Sequence, residues 1–275
     1  RKEMSLEQYS TVLDFLCGMN CRKVVFVGGE PTLYSHLYEA VQQAVSRGME
    51  CSIVTNGREL SNKAYLSRFH PYRDSISFTV SLEGPSPIHD AITCRPGSYD
   101  EAFAGLVNCR DMAFHVSTNT TIVRHNQRFL NEVVNEVHEH GIEHCSFNYG
   151  IPQLNIEYDP NDFVPLHRLG EVITDLCDGL NATFPSLLFT TPLPFCALDG
   201  ISSTTLEKYK FRISTICHVL TGEGITIDSE GNILPCAHFV DLPLANVRQF
   251  TDRAEVDHFW ATTCNETFRK KLRRY

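Results

Sequence analysis

Residues 24–33 read VVFVGGEPTL. Four β-formers end on two glycines, and a carboxylate and a proline follow at once. Valine and phenylalanine in a short unbroken run describe a strand buried in a parallel sheet. Paired glycines at its end clear away side chains, so that backbone groups can approach whatever lies beyond it. Taken alone, the pattern also fits a plain tight βα turn. Working outward separates the two readings, because the same punctuation recurs along the chain.

Strand-like runs at 23–27, 51–55, 75–82, 115–123 and 145–149 alternate with segments of helical spacing. Leu37, Val41, Ala44 and Val45 fall on one helical face; Ala102, Phe103, Leu106 and Val107 on a second; Phe129, Leu130, Val133, Val134 and Val137 on a third. Strands alternating with helices give βα units around a parallel sheet, joined by right-handed crossovers. The expected fold class is α/β, a partial (β/α)6 barrel with a small C-terminal cysteine-bearing β-hairpin module. MSLEQYSTVLDFLCGM, at 4–19, reads as a helix with Ser5 as N-cap and Leu6, Tyr9, Leu13 and Leu16 on one side. A helix feeding the first visible strand implies a strand before it, so the chain reads as starting one element late.

Past residue 150 the pattern changes. A turn-rich stretch precedes a helix expected over 163–180, and FPSLLFTTPLPFCALDG, at 184–200, sets prolines among apolar residues in a way no helix tolerates. The expected division is a barrel over 1–190 and a cysteine-bearing region over 191–275.

The 275 residues suffice for one large domain or one plus an appendage, and the net charge of −9 argues against a nucleic-acid partner. The basic run FRKKLRRY at 268–275 reads as a solvated helix end. No run approaches the roughly 18–20 apolar residues that a membrane span needs. No signal-peptide pattern opens the chain, so the expected setting is cytoplasmic. Eleven cysteines without the dense spacing of a secreted disulfide scaffold suggest metal binding by some of them.

Ligands of parallel sheets bind at the carboxyl ends of the strands. Lined up, those ends offer Gly28, Gly29, Glu30 and Pro31; then Thr55, Asn56 and Gly57; then SLEGPSPIHD at 81–90; then TNTTIVRHN at 118–126. Glycines admit a ligand closely, and hydroxyls and amides supply neutral hydrogen bonds. The set suits a polar, zwitterionic ligand bearing hydroxyls. Each piece has a bland counterpart: TNG is a turn signal, and Asp90 suits a helix cap.

FVGGEPTL, VTNG, VSLEGPSPIHDAITCRPGSYDEAFAGL and STNTTIVRHN together resemble the radical S-adenosylmethionine enzyme family, in the branch with a cysteine-rich C-terminal extension of the SPASM or twitch type. The similarity runs over roughly 20–150 and 195–240. The resemblance implies S-adenosylmethionine and 4Fe-4S clusters as cofactors. It also implies an electron donor of flavodoxin or ferredoxin type, and a 5′-deoxyadenosyl radical that abstracts hydrogen from substrate. Carried onto this sequence, Gly28, Gly29 and Glu30 face the methionine amino group, with the Glu30 carboxylate pairing with the ammonium. Ser81 and Arg95 lie near the carboxylate and ribose, and Asn119 is a further candidate on the next strand.

The family's Cys-x3-Cys-x2-Cys loop is not in this sequence. Cys17 and Cys21 have the first spacing, but position 24 is Val24, and both read as ordinary buried thiols. Either the loop precedes Arg1, the expectation favoured here, or the protein has lost radical chemistry. Cys217 and Cys236 flank a predicted hairpin with Gly231 and Pro235 in it, spaced Cys-x13-Gly-x4-Cys. Thiolates so placed can converge on one metal centre. Cys196 and Cys264 would complete four ligands for one auxiliary cluster. Cys51, Cys94, Cys109, Cys145 and Cys177 read as small buried hydrophobes, Cys94 being the one closest to the candidate site.

The expected function is radical hydrogen abstraction from a peptide or protein side chain, leading to a crosslink, an epimer or an oxidised residue. Two alternatives stay open: a small-molecule dehydrogenase or cofactor-assembly enzyme, and a non-catalytic barrel acting as a binding protein. A zinc protein with a phosphate-binding barrel fits poorly, because Glu30 would repel a phosphate.

Overall fold

The computed structural model describes residues 3–151, 157–180, 186–193, 197–216, 224–259, 261 and 262. Six parallel strands form one sheet in sequential order: β1 (Lys23–Phe26), β2 (Glu50–Thr55), β3 (Ile76–Ser81), β4 (His115–Ile122), β5 (His144–Tyr149) and β6 (Ser186–Phe189). The helices are α1 (Leu6–Gly18), α2 (Leu37–Ser46), α3 (Lys63–Ser67), α4 (Ser86–Thr93), α5 (Ser98–Asp111), α6 (Leu130–Glu139) and α7 (Leu166–Asp178), followed by α8 (Ser203–Tyr209) and α9 (Arg253–Phe259). Sequential strand order with crossovers of one hand puts the connecting helices on one side of the sheet, the arrangement of an open, partial barrel.

Side-chain alternation records that asymmetry. The buried set runs through Cys51 and Ile53, Ile76, Phe78 and Val80, Thr118 and Ile122, Cys145 and Phe147, and Leu187 and Phe189. The register pairs these residues with one another across the sheet. Phe78 meets Phe69 and Phe114 edge-on, and Phe147 stacks on Phe189. The other face carries Ser52, Ser77, Thr79, Ser81, Ser117, Asn119, Thr121, Ser146 and Asn148, neighbours in the same register. Parallel strands covered on both faces read as unbroken apolar runs. Here one face is polar, so it is built for something other than helix packing. The outer strands are apolar on that face: Val25 is 49% exposed and Leu188 is 45% exposed.

Helix α1 starts at Ser5, whose hydroxyl accepts from the Gln8 N–H while the Gln8 side chain accepts from the Ser5 N–H, a capping box. It buries Tyr9, Val12, Leu13 and Leu16. The sixth strand lies in the stretch at 184–200 that the sequence analysis left without an element. Among the named strands β6 pairs with β5 alone and ends the sheet, a position where nearby prolines are tolerated. Beyond it, α8 packs on α7, and the bridge between Phe189 and Ile213 ties this segment to the sheet. A three-stranded antiparallel sheet follows, β7 (Thr226–Ile227), β8 (Asn232–Leu234) and β9 (Ala245–Asn246). The predicted hairpin is present as β7 and β8, with Gly231 at φ +83° in its turn. Among the described residues no helix is long and apolar enough to cross a membrane.

Candidate active site

The site is built at the carboxyl end of the sheet. After β1 the chain passes through Gly28 and Gly29, at φ +86° and +53°, conformations that side chains rarely adopt. A Cβ added at Gly28 would meet no atom within 4 Å, so the loop borders open space. Glu30 then caps a single 3-10 turn, Pro31–Leu33, with proline at its start.

The Glu30 carboxylate is heavily engaged. Oε1 accepts from the Thr32 N–H at 3.0 Å, the Thr32 hydroxyl at 2.6 Å and the Thr55 hydroxyl at 2.5 Å, and Oε2 accepts from the Asn56 N–H at 2.7 Å. Glu30 thereby ties the glycine loop to the end of β2. Thr55 continues the chain of bonds by accepting from the Gly57 N–H at 3.0 Å. Gly57 is a packing residue: a Cβ on Gly105 of α5 would lie 2.2 Å from the Gly57 carbonyl oxygen.

Ser81 ends β3 on the polar face and pairs in register with Asn119 on β4. The Asn119 Oδ1 accepts from the Ser146 hydroxyl at 3.1 Å and the Asn148 amide at 3.2 Å. The Asn148 Oδ1 accepts in turn from Thr191 at 3.0 Å and from the Thr190 hydroxyl. A ladder of neutral groups thus runs from β4 to the end of β6. With its oxygen taken twice, Asn119 keeps its amide N–H groups for a ligand.

Arg95, predicted near a ligand carboxylate, donates to Glu101 Oε1 at 3.2 Å, while Arg58 donates to Glu101 Oε2 at 2.5 Å. Hydrogen bonds from Arg58 and then Arg95 outweigh desolvation and hold the Glu101 carboxyl below its ordinary range. Two guanidinium groups on one carboxylate leave a net positive charge. Arg58 was not among the predicted residues, and its only sequence signal is its place directly after TNG.

In the 81–90 block, Asp90 caps the following helix rather than its own. Its carboxylate accepts from the Gly97 and Tyr99 N–H groups and the Ser98 hydroxyl at the start of α5, and the two backbone bonds, Tyr99 foremost, lower its pKa. His89 is buried, and its Nδ1 accepts from the Glu83 N–H at 3.0 Å, so both residues hold the loop. Asn126, fully buried, donates to the Glu83 and Thr121 carbonyls and accepts from the Val123 N–H. Glu83 itself was quoted in the sequence only as part of a run. It extends the polar-face alternation of β3, is partly buried, and accepts one bond, from the Thr121 N–H to Oε2 at 2.8 Å. Burial pushes its carboxyl up to about 7, against the lowering effect of that one bond.

Of the proposed metal ligands, Cys196, Cys217 and Cys264 lie outside the described residues, and Cys236 follows β8, partly buried. Among the described residues no three His, Cys, Asp or Glu side chains are placed to hold a metal ion. The described residues fit S-adenosylmethionine, with a glycine loop bordering open space and neutral donors across the adjoining face. Cys51, Cys109, Cys145 and Cys177 are buried as expected, and burial pushes their thiols up to about 11 or 12. Two expectations are corrected. Cys17 is exposed near the end of α1, and Cys94 is exposed after α4 in a left-handed conformation at φ +55°, so neither is a buried thiol. Cys21 is partly buried.

An open six-stranded α/β sheet brings its loops, glycines and polar face together at the strand ends, the place where such sheets bind ligands. A family model described as the Radical SAM superfamily matches residues 1–128, and members of that superfamily use S-adenosylmethionine and 4Fe-4S clusters. The chain is 29% identical over 150 residues to Fe-coproporphyrin III synthase of Methanosarcina barkeri (strain Fusaro / DSM 804), covering 53% of this chain and 36% of the relative. Across the curated relatives it matches, the chain spans between 33% and 46% of their length. Among solved structures, native anSMEcpe with bound AdoMet and Cp18Cys peptide superposes with a TM-score of 0.71 at 18% identity, over 96% of this chain and 74% of that one. Streptococcus suis SuiB bound to precursor peptide SuiA superposes with a TM-score of 0.65 at 18% identity, over 93% and 58%. At these identities the likeness is one of fold.

Proposed function

We propose that this protein is a radical S-adenosylmethionine enzyme acting on a peptide or protein side chain. The observation that carries the reading is the Gly28–Gly29–Glu30 loop, pinned to Thr55 and Asn56 beside a polar sheet face. When bound and reduced, S-adenosylmethionine supplies a 5′-deoxyadenosyl radical. Gly28 and Gly29 leave room for the methionine end, and Glu30 fixes the loop while its negative charge favours the ammonium. Ser81 and Asn119 offer neutral hydrogen bonds to the remaining polar groups. Arg95, with Arg58 behind the same carboxylate, supplies the positive charge that draws the methionine carboxylate.

Peptide chemistry is favoured over an anionic small molecule by the lining of β3 to β6. Hydroxyls and amides there match the neutral amides of a peptide. A porphyrin with its carboxylates, or a nucleotide with its phosphates, would instead call for arginine and lysine. The reading includes an auxiliary cluster on Cys196, Cys217, Cys236 and Cys264, supported by the Cys-x13-Gly-x4-Cys spacing of Cys217 and Cys236 in the sequence, and an electron donor of flavodoxin or ferredoxin type.

The test is anaerobic reconstitution of the full-length protein with iron and sulfide, followed by reduction in the presence of S-adenosylmethionine. Release of 5′-deoxyadenosine is expected, together with a lower iron content in Cys217→Ala than in wild type. Fully loaded protein that forms no deoxyadenosine would sink the catalytic reading, and unchanged iron in Cys217→Ala would remove the auxiliary site.

A further inference from the structure

Two carboxylates end strands on the ligand side of this sheet, and their hydrogen bonding differs fourfold. Glu30 accepts from four donors, all supplied by the protein. Among the described residues Glu83 accepts from one, the Thr121 N–H. An ionised carboxylate has about four acceptor positions, and leaving them empty in a partly desolvated setting is costly. The structure therefore leaves Glu83 short of donors where Glu30 is saturated.

The placement of Glu83 is fixed rather than incidental. Its N–H is held by His89 Nδ1, its carbonyl by the Asn126 amide, and its Oε2 by β4, so Oε1 is the atom left without a described partner. It continues the row Ser77, Thr79 and Ser81 onto the face that also carries Thr121, Asn119 and Asn148. The ionisable residues of α4 are His89 and Asp90, and those of the loop after β4 include Arg124 and His125. The His89 imidazole is buried, and desolvation lowers its pKa. Asp90 is occupied by the start of α5. No described ion pair reaches Glu83; burial raises its carboxyl and the Thr121 bond lowers it. A rigid carboxylate facing a neutral polar surface, with one oxygen open and no cation of its own, is a receptor for a positive group.

We propose that Glu83 Oε1 is the substrate-recognition carboxylate of this site, pairing with an ammonium or guanidinium of the substrate over the β3–β4 part of the polar sheet face. This rests on the reading of the strand ends as a substrate site. It makes the preferred substrate a peptide with a basic group close to the modified residue. Binding of the cation ionises Glu83, and any proton it held passes to solvent.

The test is a carbon-13 titration of glutamate side-chain carboxyls in the full-length protein, with the Glu83 signal assigned by its loss in Glu83→Gln. The probe is n-butylguanidinium, with sodium chloride at equal ionic strength and neutral acetamide as controls. One carboxyl should titrate near pH 7 and fall by about one unit or more with the guanidinium alone, the shift an adjacent opposite charge produces. Titration of Glu83 with the other glutamates, or a raised midpoint that the guanidinium leaves in place, would overturn the proposal. An equal shift with acetamide would also overturn it, by making the site one for neutral donors. The measurement needs neither reductant nor cofactor cleavage. Absence of deoxyadenosine would therefore count against the enzyme reading while leaving this result to stand or fall by itself.

Discussion

At the scale of single residues, burial governs the protonation of Glu83. The Glu83 pKa rises in the fold from its ordinary 4.5 to about 7, so between those values the native state binds more protons than the unfolded chain. The slope of stability with pH follows the difference in bound protons, unfolded minus native, and is negative here. The favourable contribution of Glu83 is thus fully present below about pH 4.5 and is lost as pH rises through about 7. Urea unfolding of wild type and Glu83→Gln should show the variant gaining relative stability from pH 5 to pH 8. Parallel pH profiles for the two proteins would mean that Glu83 is solvated. Asp90 works in the opposite sense. Its depressed pKa stabilises the start of α5 above the unfolded value and ceases to do so as pH falls through the folded one.

Between elements, the closest approach is where α5 crosses the end of β2. Glycine to alanine inside a helix ordinarily gains about 1 kcal/mol. At Gly105 the added carbon would sit 2.2 Å from the Gly57 oxygen, and overpacking of that kind costs about 1–3 kcal/mol or more. Steric conflict wins, so Gly105→Ala should lower the unfolding midpoint and loosen the TNG turn; an unchanged or raised midpoint would mean that α5 stands off β2. Much at this scale was legible in the sequence. Five strands and the helices between them follow from period and punctuation, because every crossover obeys the same packing rule. Strand β6 did not, since four residues set between prolines carry too little pattern, and edge pairing does not need more. Glu83 was hidden for another reason. Its importance lies in a count of donors, which depends on how β4 lies beside β3, although the alternation through residues 77, 79 and 81 already pointed to position 83.

Over the molecule as a whole, the thiols divide by burial. Iodoacetamide on the native protein should label Cys17 and Cys94 well ahead of Cys51, Cys109, Cys145 and Cys177, which desolvation keeps protonated. Labelling of the latter group at the same rate would contradict the core described for the barrel. Charge is distributed with the same economy: the net −9 leaves the polar sheet face almost free of ions, with one open carboxylate among hydroxyls and amides. The outer strands behave differently. Among the described residues strand β1 borders the sheet, with Val25 on it and Val27 just past its end about half exposed, and Leu188 is similarly bare on β6. A strand with unpaired backbone groups and apolar side chains on its free face is a template for adding another strand. Produced by itself, the chain should self-associate through this border, with light scattering that rises with concentration and falls when Val25→Lys charges the strand. The same lack of closure that opens the sheet to a ligand thus makes solubility depend on whatever lies along its first strand.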